Sequence, residues 1–365
     1  MRIVVFGGGM QGRVIAQNLL ARPEKPEVLI ADLRQPPVVP TGAKFAKCDV
    51  LDAKQVAELV KGADATVLAV PSQIAHAALA NLCATGVAVA DVSFTPDPPL
   101  SLDGAAKKSG SCCVVDVGVA PGLSHILVAL AHTELKGLDK ATILVGGIPQ
   151  EPPSTFRHAI YFNPHDLLAE YIRPARARKH GMFIEPAPLD VPLEVYHDSE
   201  LGHLEAFLSD GLRSLLDSFP DIPEMAELTL RWPGHVQTMA NLRDMGMFNE
   251  QVTVAAIADA LGKRYPAEKY PDVLLMVVEG SKGNESRAWR LIDRRTKDES
   301  AMSRTTGYTT AAVAMVLARK EFAEPGVHAP ERLGKDPKIA KAIVADLAER
   351  GVKVESLPQP HLAKA

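Results

Sequence analysis

Short apolar runs alternate with longer amphipathic stretches over the first third of the chain. Residues 3–6 form a β-branched and aromatic run, which is typical of a strand buried on both faces of a parallel sheet. Residues 13–21 place Val14, Ile15 and Leu19 on one side, which predicts a helix. The same reasoning predicts strands at 27–31, 65–70, 87–92 and 112–117, and helices at 52–61, 74–85 and 102–109. Strands that alternate with helices indicate an α/β fold with a doubly wound parallel sheet of the Rossmann type.

The alternation stops near residue 122. Strands are predicted at 141–148, 227–232, 273–280 and 285–295, and a helix at 204–219. The last two strands flank Ser281-Lys282-Gly283-Asn284, a sequence that favours a hairpin turn. This half therefore predicts a second, α+β domain with a largely antiparallel sheet. Because helices predicted at 305–320 and 335–351 are expected to return to the first domain, the predicted domains are 1–122, 123–303 and 304–365.

A glycine-rich turn joins the first predicted strand to the first predicted helix. The segment Gly7-Gly8-Gly9-Met10-Gln11-Gly12 matches Gly-x-Gly-x-x-Gly in the strand–turn–helix context that a dinucleotide-binding loop requires. Gly7 allows the tight turn, Gly9 lets the backbone approach a pyrophosphate, and Gly12 lets the helix pack on the strand. The helix N-terminus attracts the phosphates. The segment therefore predicts a nicotinamide dinucleotide cofactor.

The second apolar run ends at Asp32, twenty residues after Gly12. A carboxylate there accepts hydrogen bonds from the adenosine ribose and repels a 2′-phosphate, so it favours NAD over NADP. Arg34, two residues further on, softens this preference and leaves NADP open as the alternative.

The ends of the other predicted strands supply further cofactor-binding candidates, because ligands of doubly wound sheets bind beyond the carboxyl ends of the strands. Asp49 suits the adenine amino group, and residues 69–72 are expected along the nicotinamide half. The full set of predicted cofactor-binding residues is Gly7, Gly9, Met10, Gln11, Gly12, Asp32, Leu33, Arg34, Asp49, Val50, Ala69, Val70, Pro71, Ser72, Asp91, Ser93, Val117 and Gly118.

Composition narrows the class of protein. Among 365 residues, 40 Lys and Arg stand against 44 Asp and Glu, and this net charge of −4 argues against a nucleic-acid binder. No run approaches the roughly 18 apolar residues of a membrane span, and the apolar start breaks into glycines too early for a signal peptide. The adjacent Cys112 and Cys113 are expected as buried thiols, and the His and Cys spacings indicate no metal site. We therefore expect a cytoplasmic protein with neither a membrane nor a nucleic-acid partner.

Seven segments resemble one family, in its order along nearly the whole chain. The chain is similar to the saccharopine dehydrogenase-like family, and within it to the lysine 6-dehydrogenases, at 116–122, 145–149, 204–207, 218–220, 231–235, 304–309 and 326–331. The resemblance implies NAD(P)-linked chemistry at a carbon that bears an amino acid's amino group. It also implies a substrate domain that serves dimerisation, hence a homodimer or a higher homo-oligomer. The chain departs from the family pattern at Asp210, within Leu208-Ser209-Asp210-Gly211, and at Trp232, where Tyr is usual.

Such chemistry needs a base for the amine proton, a carboxylate toward the developing iminium and an arginine fork for the substrate carboxylate. The candidate catalytic residues are Asp116, Asp210 and His235. The candidate substrate-binding residues are Arg231, Arg213 and His158, the last by family resemblance. Structural alternatives stay open, such as a turn cap for Asp116 and a helix-surface charge for Asp210 or Arg213. The basic cluster Arg173, Arg176, Arg178, Lys179 and His180 is interpreted as a solvated face, with a phosphate contact or a subunit bridge as the alternative.

Three functions follow from these observations. The first is NAD-dependent oxidative deamination of the ε-amino group of lysine to allysine, which cyclises to piperideine-6-carboxylate. The second is opine oxidoreduction with NAD(P), with saccharopine or carboxynorspermidine as the substrate. The third, from another class, is a non-catalytic dinucleotide-binding protein, because fold does not determine function.

Overall fold

The computed structural model describes residues 1–95 and 97–358. The strands in these residues are β1 (Arg2–Phe6), β2 (Glu27–Asp32), β3 (Lys44–Lys47), β4 (Ala65–Leu68), β5 (Ala88–Asp91), β6 (Cys112–Val114), β7 (Lys140–Pro149), β8 (Ala177–Lys179), β9 (Met182–Ile184), β10 (Glu194–Asp198), β11 (Gly202–Ser209), β12 (Glu224–Arg231), β13 (Asp272–Lys282), β14 (Glu285–Arg294), β15 (Gly326–His328) and β16 (Val354–Leu357). The helices are α1 (Met10–Leu20), α2 (Ala53–Leu59), α3 (Ser72–Cys83), α4 (Asp103–Ser109), α5 (Leu123–Leu135), α6 (Pro164–Ile172), α7 (Leu215–Ser218), α8 (His235–Asp244), α9 (Gln251–Arg264), α10 (Ala301–Ala318), α11 (Glu331–Gly334) and α12 (Pro337–Glu349).

The first sheet is parallel throughout and has the strand order β15-β6-β5-β4-β1-β2-β3. Its interior strand β1 is buried on both faces, because Ile3, Val4 and Val5 are all fully inaccessible. Helix α3 contributes Leu79 and Leu82 to the cluster that contains Val4. The predicted doubly wound Rossmann-type sheet is confirmed.

The second sheet is mixed and follows the order β10-β11-β12-β7-β13-β14-β16, with β8 on β12 and β9 on β8. Its pairs are antiparallel except β12 with β7, so the predicted, largely antiparallel second sheet is confirmed. The predicted hairpin is present, with Lys282 opposite Glu285 across a turn in which Gly283 has a φ of 55°.

A buried ion pair joins two strands that lie far apart in the order of this sheet. Arg290 on β14 donates from Nε to Asp198 Oδ2 on β10 at 2.9 Å, and from Nη2 to Asp198 Oδ1 at 3.0 Å. Four strands separate β10 from β14 in the sheet. The sheet therefore curves until its two sides meet, around a core that includes Leu204, Leu228 and Leu275.

The predicted helix at 204–219 is wrong over most of its length. Residues Gly202–Ser209 form β11, and only Leu215–Ser218 is helical. Strand β11 lies between β10 and β12, and both of its faces are packed, because Leu208 belongs to one apolar cluster and Phe207 to another. Phe207 and Leu208 are part of one continuous apolar run. Periodicity does not distinguish such a run from a buried helix.

The chain divides into two compact units, each built from separated segments. Unit 1 consists of Met1–Leu130 and Ser303–Gly351, and unit 2 consists of Ala131–Met302 together with the described residues 352–358. The division falls within α5 and within α10. Strand β16 pairs with β14 of the second sheet, whereas the sequence pattern predicted that all of 304–365 returns to the first domain. None of the helices in the described residues is long and apolar enough to cross a bilayer.

Candidate functional site

The loop between β1 and α1 in unit 1 contains two glycines that no larger residue can replace without displacement. A Cβ at Gly7, whose φ is 100°, would lie 2.1 Å from the Ala69 carbonyl oxygen, and one at Gly12 would lie 1.8 Å from the Gly7 oxygen. Gly9 is different, because a Cβ there meets nothing within 4 Å. It is the N-cap residue of α1 and has no side chain to cap the first-turn amides of the helix. This loop fits the phosphates of a dinucleotide.

Asp32 at the end of β2 is held against the glycine loop. Its Oδ2 accepts a hydrogen bond from the Gly8 N–H at 2.7 Å, and its Oδ1 accepts from the Arg34 N–H at 3.3 Å. Asp32 is half-buried, whereas Leu33 and Arg34 are exposed. The carboxylate therefore has a defined position next to the phosphate-binding turn, as a ribose-binding acid requires.

The structure brings the predicted strand-end residues together along one edge of the first sheet. Val70 N–H donates to Ser93 Oγ at 3.0 Å, and Ser93 N–H donates to Asp91 Oδ1 at 2.8 Å. Val117 N–H donates to the Asp91 carbonyl at 3.0 Å. Since Ala69 also touches Gly7, these segments form a continuous row from the glycine loop to β6.

Two other predicted segments have local structural roles. Asp49 Oδ1 accepts from the Leu51 N–H at 2.9 Å and so closes the turn after β3, and Val50 is buried. Pro71 is the N-cap residue of α3, which begins at Ser72. All four predicted residues follow the carboxyl ends of β3 and β4.

The segment after β6 makes a tight turn into α5. Asp116 is buried and has a left-handed φ of 56°. A Cβ at Gly122 would lie 2.0 Å from the Gly118 oxygen, so the turn requires glycine there. Thr310 on α10 donates from Oγ1 to the Val117 carbonyl at 2.8 Å, which fixes the backbone next to Asp116.

Unit 2 contains a buried polar network around Arg231. Each of the guanidinium nitrogens donates: Nε to the Tyr171 hydroxyl at 2.9 Å, Nη2 to Glu170 Oε2 at 2.5 Å and Nη1 to the Leu230 carbonyl at 2.9 Å. Arg231 itself is only 2% exposed. Its predicted role as a fork for the substrate carboxylate stays a prediction, and in this structure the fork is occupied by the protein's own acceptors.

His235 continues the network inward. Its Nδ1 donates to the Phe156 carbonyl at 2.7 Å, since a carbonyl only accepts, and its Nε2 then accepts from the Tyr171 hydroxyl at 2.8 Å. Burial, together with the charge of Arg231, lowers the pKa of His235 to about 3. Burial also raises the pKa of the Tyr171 hydroxyl. At neutral pH, His235 and Tyr171 are therefore both uncharged.

His158 lies next to His235, with their ring centroids 4.9 Å apart. It is fully inaccessible, and neither of its ring nitrogens has a hydrogen-bond partner within residues 1–95 and 97–358. Burial, then the positive charge of Arg231, holds the pKa of His158 well below its usual value. The structure thus brings three predicted residues together: His158, Arg231 and His235.

Asp210 lies in a different cluster of unit 2. Arg176 donates to it twice, from Nε at 2.7 Å and from Nη2 at 3.1 Å, and Arg173 Nε lies 3.0 Å from its Oδ2. Arg178 donates to three backbone carbonyls in 216–222. This basic cluster is therefore only partly a solvated face: Arg176 and Arg178 bind acceptors of the protein itself, whereas the side chains of Arg173 and Arg176 stay 41% and 36% exposed. Arg213, with a φ of 42°, follows Asp210 in the loop after β11.

Sequence reasoning missed Glu170 and Tyr171, which complete the Arg231 network. Both lie on α6, where Asn163 caps the helix by accepting the His165 N–H at 3.0 Å. The Asn163-Pro164 pair is a helix-start signal, and a helix that begins there places Tyr171 on the buried face with Leu168.

The fold and the glycine loop between β1 and α1 (the glycine cradle) together define a dinucleotide-binding oxidoreductase architecture. The Saccharopine dehydrogenase NADP binding domain matches residues 3–114, and the Saccharopine dehydrogenase C-terminal domain matches residues 118–352. The chain belongs to the saccharopine dehydrogenase family of NAD(P)-binding oxidoreductases.

Solved structures share the fold over nearly the whole chain. The chain is similar to apo saccharopine dehydrogenase (L-Glu forming) from Saccharomyces cerevisiae, with a TM-score of 0.79 and 15% identity over 98% of this chain and 99% of that one. It is less similar to an engineered D-amino acid dehydrogenase bound to NADP+, with a TM-score of 0.51 and 13% identity over 96% and 99% of the chains. For the diaminopimelate (DAP) dehydrogenase of C. glutamicum, the values are 0.50 and 15% over 96% and 99%. At these identities the similarities show a shared fold.

Proposed function

We propose that this protein is an NAD-dependent dehydrogenase that oxidises the amine-bearing carbon of an amino acid, with the ε-amino group of lysine as its substrate. The observation that carries the proposal is the glycine cradle with Asp32 held beside it, in a chain that both family models match. The assignment to lysine is supported by the sequence motifs shared with the lysine 6-dehydrogenases. The product would be allysine, which cyclises to piperideine-6-carboxylate.

In this proposal, different residues of unit 1 bind different parts of the cofactor. The α1 amides face the pyrophosphate, and Gly9 leaves the backbone accessible to it. Asp32 accepts from the ribose hydroxyls, and its negative charge opposes a 2′-phosphate, which supports NAD rather than NADP. A bound nicotinamide dinucleotide supplies a two-electron acceptor for the hydride of the substrate carbon.

The reaction also needs a proton acceptor, because only a neutral amine releases a hydride readily. In the proposal, Asp116 takes the proton from the substrate ammonium group. Asp116 follows β6 at the same edge of the sheet as the predicted cofactor-binding residues, and it is buried. The amine then loses a hydride to give an iminium, and water hydrolyses the iminium to the aldehyde and ammonium.

The experiment offers NAD and NADP separately with L-lysine and with saccharopine to the purified protein. The expected result is NADH formation with lysine and trapping of a cyclic imine product. Reduction of the dinucleotide only with saccharopine would favour the second candidate, which the family membership also supports. Tight NADH binding without turnover of either compound would favour a non-catalytic dinucleotide-binding protein. A homodimer and a cytoplasmic location stay predictions, and light scattering on the purified protein tests the first.

A further inference from the structure

Arg157 presents a guanidinium that the described residues do not neutralise. The residue is half-buried, and its Nε is inaccessible to solvent and has no hydrogen-bond acceptor within the described ranges. Ion pairs in unit 2 occupy other arginines, including Arg176 on Asp210, Arg231 on Glu170 and Arg290 on Asp198. A partly buried guanidinium without an acceptor is costly, unless a ligand supplies one.

The backbone around Arg157 is held in one conformation. Arg157 has a φ of 57°, a left-handed value that a residue with a side chain adopts only under constraint. Its N–H donates to the Pro153 carbonyl at 3.0 Å, which closes the proline-rich loop behind it. A Cβ on Gly234 would lie only 3.5 Å from Arg157 Cδ, so the stem of the arginine packs along the turn into α8. Glu205 on β11 accepts the Gly234 N–H of this turn at 3.1 Å.

A second, independent observation marks the same segment. The next residue, His158, is fully buried, and both of its ring nitrogens are without partners among the described residues. In contrast, His235, whose ring centroid lies 4.9 Å away, makes a hydrogen bond with each nitrogen. Unsatisfied polar atoms on two successive residues, beside a fully satisfied network, indicate a place where the protein expects a polar ligand.

The chemistry of the guanidinium selects the ligand. A planar fork of N–H donors matches the two oxygens of a carboxylate, and a charge-assisted bidentate pair fixes the orientation of what it binds. Building on the proposed function, we propose that Arg157 binds the carboxylate of the amino acid substrate. Arg231, one of the two arginines singled out from the sequence, holds α6 and β12 together through Glu170 and Tyr171.

The test compares the wild type with Arg157→Met, Arg157→Lys and the control Arg243→Met. Arg243 is another unit 2 arginine, whose Nη1 pairs with the exposed Asp190 at 2.7 Å. The first measurement is steady-state oxidation of L-lysine. We expect Arg157→Met to raise KM by about 10- to 100-fold with little change in kcat, because a hydrogen-bonded charge is lost. Arg157→Lys should recover part of this loss, and Arg243→Met should match the wild type.

The second measurement does not depend on turnover. L-Norleucine has the backbone and chain of lysine without the terminal amine, and cadaverine has the amines without the carboxylate. Calorimetric titration in the presence of NADH should show norleucine binding that Arg157→Met loses, and cadaverine binding that it keeps. Thermal unfolding of each variant checks that it is folded.

The outcomes separate the two proposals. Lysine oxidation with equal parameters in Arg157→Met and Arg243→Met overturns the assignment of Arg157 and leaves the proposed function standing. Norleucine binding that depends on Arg157, in a protein that oxidises no lysine, supports Arg157 and refutes the proposed function. A wild type that binds no norleucine overturns the assignment as well.

Discussion

Histidines 158 and 235 are buried next to a guanidinium, and this makes them neutral at pH 7. The pKa of His235 is lowered to about 3, and that of His158 well below its usual value, in both cases by burial first and then by Arg231. The unfolded chain has histidines with a pKa of about 6.5. Between these values the unfolded state binds more protons than the folded state. Stability therefore falls as the pH falls below about 6.5, and the loss levels off only below the folded pKa.

His158 should account for part of this loss of stability at low pH. A histidine that stays neutral in the folded protein costs up to about 2 kcal/mol of unfolding free energy when the pH falls from 7 to 5. In His158→Leu, urea unfolding should show a smaller loss than in the wild type, with stability at pH 7 unchanged or higher because an unpaired polar group is removed.

The control for this prediction is His158→Gln, which does not titrate but stays polar. It should share the weaker pH dependence of His158→Leu. It should also be less stable than His158→Leu at both pH values. If both variants keep the wild-type pH dependence, His158 is not the source of the protons.

We predict that Asp32 decides the choice between NAD and NADP. Asp32→Ala should weaken NAD binding by about 10- to 100-fold, because a charged acceptor for the ribose is lost. The same change should improve NADP relative to NAD, since the charge that repels a 2′-phosphate is gone. Asp49→Ala is the matched control, and it should weaken both dinucleotides equally. Titration of protein fluorescence with NADH and NADPH measures the ratio, and an unchanged ratio in Asp32→Ala contradicts the assignment.

At the scale of elements, the β1–α1 loop and β11 show what local sequence decides. The loop was predictable because strand pattern, glycine spacing, helix pattern and Asp32 agree within one short stretch. Strand β11 was not, because Ala206 to Leu208 is a continuous apolar run without strand alternation, and only its neighbours β10 and β12 make it a strand. The surroundings of Arg231 were unpredictable for a related reason. Its partner Glu170 lies 61 residues away, so nothing near Arg231 in the sequence shows that its donors are occupied.

The loop predicts opposite outcomes for two glycines. Gly12→Ala places a methyl group 1.8 Å from the Gly7 oxygen, so α1 must move from β1. We expect a loss of several kcal/mol, of the order seen for overpacked sites, together with loss of dinucleotide binding. Gly9→Ala meets no atom within 4 Å and has a φ of −69°, so it should fold as the wild type does.

Gly9→Ala tests dinucleotide binding by the loop separately from the stability of the fold. In Gly9→Ala the new methyl group stands where the pyrophosphate approaches the backbone, so dinucleotide binding should weaken while thermal unfolding does not change. The same assays apply to both variants. Equal unfolding temperatures for Gly12→Ala and the wild type would contradict the packing argument.

At the scale of the whole molecule, unit 1 is assembled from two separated segments of chain. Its edge strand β15 and helices α10 to α12 come from 303–351, apart from the first two residues of α10. They bury core residues such as Val313 on α10 and Val327 on β15, and Asp346 on α12 pairs with the buried Arg22, just after α1, at 2.6 Å. The return of α10 was predictable from its Ala-rich pattern, but the pairing of β16 with β14 was not, because four residues give too short a pattern.

Two truncations test this division. A chain that ends at Met302 lacks β15 and nearly all of α10 to α12, so unit 1 should lose cooperative unfolding and NADH binding. A chain that ends at Gly351 lacks β16 but keeps all of unit 1, and should bind NADH as the full chain does. NADH titration and urea unfolding measure both, and NADH binding by the shorter chain would show that the first segment of unit 1 folds without the second.

The same arrangement has a consequence during synthesis on the ribosome. Strand β6 acquires its outer neighbour β15 only after residues 131–302 of unit 2 have been translated, because Cys112 pairs with Gly326. At about 5–20 residues per second, the wait is on the order of tens of seconds. During that time the nascent sheet has an apolar, unpaired edge of the kind that templates aggregation. Slower translation, which lengthens this exposure, should therefore lower the yield of folded protein in a host. Chaperones that cover such an edge should raise it.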